Sequence, residues 1–377
     1  MKQDIEQIEI EEKDIEKVKD NKKTKKNDKD KKGKKKGRLK KVLIVLAILF
    51  VMGVSGLGVL LYGPYNGFRD WLITTSMTTM THQWIAKLFY DDEMISTVLY
   101  SNRVDEINED TDTNAIEKEM VQEVEEIEYE NEYERQILEK DPENEDYKII
   151  EISGKGYSGY LAAIYDPSKV HTLVTGKIGK SGQYLTTMAK NSNAIVAING
   201  GGFDDPNHNS NGANPLGVTY SNGRLMTSYN YSGTGGIIGF NEDDVLVLSS
   251  KCTITSAKSL KVRDCVTCGP FLIVNGKTSK VVGNGGWGTA PRTAIGQRKD
   301  GIVLFLVIDG RRINRPGADM DDLIEIMQNY GAYNAANLDG GTSTAMVVNY
   351  ELINDPIDST GAHKTRFIST GFGLIKE

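Results

Sequence analysis

The chain has 377 residues, 39% of them hydrophobic and 26% charged, with a formal net charge of −7. That length has room for about two domains, but no single description fits it: residues 1–41 carry 17 Lys or Arg against 10 Asp or Glu, and the remainder carries 28 against 42. An acidic balance with its basic residues confined to one end gives nucleic-acid binding little support.

Residues 1–41 are mostly Lys, Glu, Asp and Asn. They hold too little apolar surface to offset the entropy of ordering and read as a disordered basic tail. Residues 42–62 (VLIVLAILFVMGVSGLGVLLY) are an uncharged apolar run of 21 residues, enough as a helix to cross a hydrocarbon layer of about 30 Å. Because residues 21–41 contain 13 Lys or Arg, the positive-inside rule puts the N-terminus in the cytoplasm. The expectation is therefore a single-pass plasma-membrane protein with an extracellular C-terminal domain. A cleaved signal peptide fits less well, since the run ends Val-Leu-Leu-Tyr without a small-residue cleavage site. The flanking lysines suit anionic membrane lipid as well as fixing topology.

Residues 63–100 are rich in Thr, Met and aromatics and are expected to be a juxtamembrane helical segment, lying at the headgroups or packed on the folded domain. Residues 101–146 are strongly acidic with sparse apolar positions and read as a stalk or linker. From 147 to 377 the texture changes to short apolar runs punctuated by Gly and Asn: 148–153, 159–166, 170–174, 194–199, 245–248, 271–274, 302–308 and 366–374. Many short strands with interspersed helices predict an α+β domain with mixed, mainly antiparallel sheets. The clearest helix spans 319–330, where Met320, Leu323, Ile324 and Met327 follow a 3.6-residue period, Asp319 caps the start and Gly331 supplies the stop. A second is expected within 176–191.

Cys252, Cys265 and Cys268 all fall in this domain, where an oxidising exterior permits one disulfide of unreadable pairing; the alternative is buried thiols. Cys265-x-x-Cys268 lacks the further ligands of a zinc site. Nothing in the sequence sets an oligomeric state.

Four glycine-bearing clusters can carry chemistry. Ala197 to Asp205 closes an apolar strand with Asn199, Gly201, Gly202 and Phe203, a run whose amides can form an anion nest. The segment 283–296 offers Trp287 for stacking on a sugar face and Arg292, whose planar guanidinium suits phosphate. In 305–311 and 337–346, Asp309 and Asp339 stand where an apolar run gives way to Gly, which lifts a carboxylate to a cleft mouth. Beside Asp339, Gly340, Gly341, Thr342 and Ser343 add donors that a plain turn does not need. His208 lies in the loop after the first cluster and is a weaker candidate.

NGGGFD at 199–204, PLGVTYSNGRL at 215–225, CGPFLIVNGK at 268–277, APRTAIG at 290–296, LVIDGR at 306–311 and NLDGGTSTAM at 337–346 together resemble the phosphodiester glycosidase family. These are bacterial relatives of the mannose-6-phosphate uncovering enzyme, often described as exopolysaccharide-biosynthesis proteins. The resemblance covers about 147–377, and departs from the family pattern at Gly202, where an aromatic residue commonly precedes Phe203.

It implies a hydrolase that cleaves a sugar-1-phosphodiester to free sugar and a phosphomonoester, on an envelope or exopolysaccharide substrate. In that reading Arg292 and donors around 340–343 hold phosphate, Asp339 is base or nucleophile, Asp309 orients or shares the role, and Asn199 positions substrate. The alternatives are a polysaccharide-binding module without turnover and a phosphodiesterase cutting the P–O bond. The motifs require no cofactor. Asp309, Asp339 and Asn199 are oxygen ligands of the kind a divalent cation such as calcium prefers, although sequence spacing does not show that they converge.

Overall fold

The computed structural model describes residues 40–78, 82–116, 128–205, 211–358 and 360–376. Most of the basic tail and His208 lie outside the described residues. The chain divides into two units, residues 1–69 and 70–377. In the first, Lys40–Tyr62 is a helix with a mean hydropathy of 2.8, long and apolar enough to cross a membrane. The expected span of 42–62 falls inside it.

The second unit is α+β with antiparallel sheets, as the sequence predicts; where mixed, mainly antiparallel pairing is expected, every strand pairing among the described residues is antiparallel. Its middle layer is a seven-stranded sheet in the order Lys277–Thr278, Phe271–Val274, Ala332–Asn337, Arg292–Arg298, Val303–Asp309, Tyr157–Ile164, Tyr147–Gly154. Val303–Asp309 is apolar at nearly every position because both its faces are covered. Strand periodicity divides it: Leu304, Leu306 and Ile308 join one core with Met320, Leu323 and Met327, while Val303, Phe305 and Val307 join another with Ile198, Val266 and Phe372.

The first core is closed by helix Met320–Asn329, whose N-terminus is a capping box between Asp319 and Asp322. The second is shared with two five-stranded sheets. One runs Glu351–Leu352, Met346–Val348, Ala194–Asn199, Thr370–Ile375, Val170–Val174. The other runs Arg224–Ser228, Val218–Ser221, Val262–Cys268, Gly236–Asn241, Leu246–Ser249. The helix expected within 176–191 is Leu185–Asn191.

Residues 63–100 do form helices, at Asn66–Thr78, Gln83–Phe89 and Asp92–Ser101. They pack on the domain: Asn284 donates through Nδ2 to Thr74 Oγ1 at 2.9 Å, and Asn102 Oδ1 accepts from the Asn284 amide at 2.9 Å.

The described part of 101–146 departs from the expected stalk. Arg103–Asp105 pairs with Lys280–Val282, and the Glu106 carboxylate accepts from the amides of Phe271 at 2.6 Å and Gly235 at 2.9 Å. Asp112 N donates to Asn275 Oδ1 at 2.8 Å, and helix Glu132–Leu138 sinks Ile137 fully into the core. These contacts are made by backbone and by single apolar side chains, which leave no continuous apolar stripe for the sequence to show. The three cysteines are free thiols rather than a disulfide; Cys265 is buried, whereas Cys252 and Cys268 are partly exposed.

Candidate active site

The four glycine-bearing clusters come together where the three large sheets abut. Residues 337–341 leave strand Ala332–Asn337 and are stretched across the junction by backbone hydrogen bonds to three separate segments. Asn337 N donates to Pro270 O (3.0 Å), Leu338 N to Thr293 O (2.8 Å), Asp339 N to Gly200 O (3.0 Å) and Gly341 N to Pro291 O (2.9 Å). Such anchoring holds Asp339 with little freedom, which is what a working carboxylate needs. The glycines permit the approach: a Cβ at Gly340 would sit 2.8 Å from Pro291 O, one at Gly201 2.6 Å from Thr267 O, and Gly341 takes φ +63°.

Asn199 is the hub beneath Asp339. Its Nδ2 donates to Asp339 O at 2.5 Å, and its Oδ1 accepts from Thr293 Oγ1 at 2.7 Å and Ala345 N at 3.0 Å. The amide oxygen thereby already accepts two hydrogen bonds from the protein. Among the described residues no three His, Cys, Asp or Glu side chains converge as a metal cluster. The calcium option thus finds no matching ligand set in Asp309, Asp339 and Asn199.

Burial pushes the partly exposed Asp339 carboxyl above its ordinary range and the nearby negative charge of Asp205 adds to this, while Ser343, Arg366 and the Gly340 amide oppose it. Cys268 is a close neighbour: burial, followed by the charge of Asp339, raises its thiol to about 12, so it is neutral. Asp309 sits at the end of its strand, accepting from Asn354 Nδ2 at 2.9 Å and from the Asp355 amide at 3.1 Å. Burial raises its carboxyl too, against the pull of Asn354 and Arg312. Asn354 also accepts from Met346 N at 2.8 Å, which ties Asp309 to the strand entered from the Asp339 block.

Arg292 is buried, and its guanidinium donates to the carbonyls of Gly288 (2.5 Å), Trp287 (2.7 Å) and Ala318 (3.2 Å). Burial, partly opposed by the negative charge of Asp319, lowers it to about 10. All three partners are backbone groups, so in this arrangement the residue fixes the loop that carries Trp287. Trp287 itself packs against the helix-side core. Thr342 accepts from Arg311 Nη1 at 2.7 Å, and Ser343 is buried beside Asp339. Gly202 donates its amide to Thr267 O at 3.1 Å, and Phe203 is buried with the guanidinium of Arg366 over its ring at 4.6 Å.

Sequence reasoning passed over Thr293, Arg311, Asn354 and Arg366. Thr293 and Arg311 stand inside quoted motifs, where their neighbours drew attention first. Asn354 lies in a loop with no local pattern, and Arg366 opens the apolar run expected at 366–374, whose strand begins only at Thr370.

Residues 192–375 match the family model for phosphodiester glycosidases. The match covers just under half of the chain. The central sheet extends beyond the matched range, since Tyr157–Ile164 pairs with Val303–Asp309 along its length.

A zebrafish N-acetylglucosamine-1-phosphodiester alpha-N-acetylglucosaminidase catalytic domain, auto-inhibited by its pro-peptide, is 22% identical with a TM-score of 0.52, over 61% of this chain and 82% of that one. That likeness establishes a shared fold. The SPbeta prophage-derived uncharacterized protein YomE of Bacillus subtilis is 29% identical over 186 residues, 46% of this chain. The chain spans about a quarter of that relative's length, 27%.

Proposed function

We propose that the chain is a membrane-anchored hydrolase whose glycosidase domain, outside the cell, cleaves a sugar-1-phosphodiester of the envelope or an exopolysaccharide. One observation carries this reading: the clusters at 199–203, 291–293 and 337–343 meet around one rigidly held carboxyl that burial raises, Asp339. An ionised carboxylate whose proton affinity burial has raised is suited to take a proton from water.

In the reaction a water oxygen bonds to the anomeric carbon while the bond from that carbon to the phosphate oxygen breaks. The electron pair leaves with the phosphate, and the water proton passes to Asp339. Because the second pKa of a phosphomonoester is about 6, the leaving group needs little help from a strong acid. Charge stabilisation and positioning therefore dominate. Donors around Gly340 to Ser343 lie beside the phosphate, Asn199 and Arg292 set the backbone that frames the site, and Asp309 orients substrate from the same edge of the central sheet.

The anchor reading is supported by the apolar helix Lys40–Tyr62 behind a polybasic segment. Intact cells bearing the full chain should release free sugar from externally added sugar-1-phosphodiesters, with label from heavy-oxygen water in the sugar. Asp339→Asn should lower the rate at least a hundredfold while leaving the fold intact. Label in the phosphate would mean P–O cleavage. Undiminished product from the variant would remove Asp339 from the reaction, and binding without product from the wild type would leave a polysaccharide-binding module.

A further inference from the structure

We propose that Arg366, held between Asp205 and Phe203, is the cation that receives the phosphate of the substrate beside Asp339. The inference rests on the phosphodiester reading above and adds to it a specific residue. A phosphodiester brought to this site meets two carboxylates, Asp339 and Asp205, that act on one another electrostatically. Three negative charges would then share one partly desolvated space, which is strongly unfavourable without a cation.

Three other arginines, Arg292, Arg311 and Arg312, have partners elsewhere. Arg292 is buried and donates to three backbone carbonyls. Arg311 donates to Thr342 Oγ1 and Ile357 O, both at 2.7 Å. Arg312 pairs with Asp355.

Arg366 differs in geometry. Its Nη2 is 2.8 Å from Asp205 Oδ2, with 30% of the Arg366 side chain exposed against 8% of Asp205. Its Cζ lies over the Phe203 ring, 4.6 Å from the centroid. Its positive charge reaches the Asp339 carboxylate. A buried carboxylate and a ring thus hold the guanidinium while part of the side chain stays open to solvent. The side-chain entropy of holding a guanidinium in place is already lost before a ligand arrives, so more of the contact energy appears as affinity. This also gives Phe203 and Asp205 a purpose: the loop that departs from the family pattern at Gly202 serves here to seat an arginine.

The test uses the full chain in detergent micelles, with inorganic phosphate as the probe, titrated by calorimetry. Saturable binding to the wild type, weakened at least tenfold by Arg366→Gln, is expected; no saturable binding to the wild type, or equal binding by the variant, overturns the proposal. Should that variant fail to fold, Arg366→Met keeps the stem over Phe203 and faces the same criterion. Turnover separates this idea from the enzymatic reading. If the wild type hydrolyses no sugar phosphodiester but Arg366→Gln loses phosphate, the phosphate site stands and catalysis falls. If hydrolysis proceeds and Arg366→Gln keeps its kcat/KM, catalysis stands and the phosphate site falls. Where both stand, the acid limb of the variant's pH–rate profile moves to higher pH, because Asp339 has lost an opposing positive charge.

Discussion

Asn199 joins three segments through one amide. Truncating it to alanine removes the acceptor for Thr293 Oγ1 and Ala345 N together with the donor to Asp339 O, all in a nearly dry site where Asn199 is only 1% exposed. Unsatisfied buried groups cost about 1–3 kcal/mol each. Some relaxation is expected, so Asn199→Ala should lower the unfolding free energy by roughly 2–4 kcal/mol, measured by denaturant melts followed by ellipticity. A loss below about 0.5 kcal/mol would show that the hub is not structural. Asp339→Asn, by contrast, retains a polar group of the same shape and should separate activity from stability. The glycines and acids of this junction were legible in the sequence because each stood at the end of an apolar run. The amide's partners were not, since Thr293 and Ala345 lie far from Asn199 along the chain.

Helix Met320–Asn329 shows how well one element can be read. Its apolar period, its Asp319 cap and its Gly331 stop were all visible, and the structure places Met320, Leu323, Ile324 and Met327 in the core. What a pattern cannot show is the electrostatic cost of two acids closing one capping box. Asp322 is raised to about 6, chiefly by burial, with the charge of Asp319 also acting to raise it. A carboxyl whose folded pKa lies above the unfolded value near about 4 binds its proton more tightly when folded. Its stabilising effect is therefore complete below about pH 4 and is lost as the pH rises through about 6. Asp322→Asn keeps an acceptor for the Asp319 amide and removes the titration. The variant's stability should fall less steeply than the wild type's between pH 4 and 6 in thermal melts; identical slopes would assign the pH dependence to other groups.

At the scale of the whole molecule, the matched family range of 192–375 is smaller than the folding unit. Strands Tyr147–Gly154 and Tyr157–Ile164 extend the central sheet, and the segment ahead of them binds the domain at several loops. Composition made 101–146 look like a spacer because its acids dominate, yet a few residues decide its fate. Val104 and Ile137 are buried in the helix-side core, Tyr165 Oη donates to Ile137 O at 3.0 Å, and Glu106 satisfies two amides. Burying each of the two aliphatic side chains is worth about 1.5–3 kcal/mol, and the hydrogen bonds add about 1 kcal/mol each. Against a domain stability of about 5–15 kcal/mol, removing this segment takes away a large share. A fragment of residues 147–377 should accordingly melt at least about 10 °C below one of residues 70–377, or aggregate, while the longer fragment melts in one transition. Hydrogen exchange should rise at Gly235, Phe271 and Asn284, whose amides lose Glu106 and Asn102 as partners. Equal melting temperatures and unchanged exchange would return the segment to the role of a tether. The expected result makes it part of the fold that positions the site, because the Asn284 it grips begins the loop whose Trp287 and Gly288 carbonyls hold Arg292.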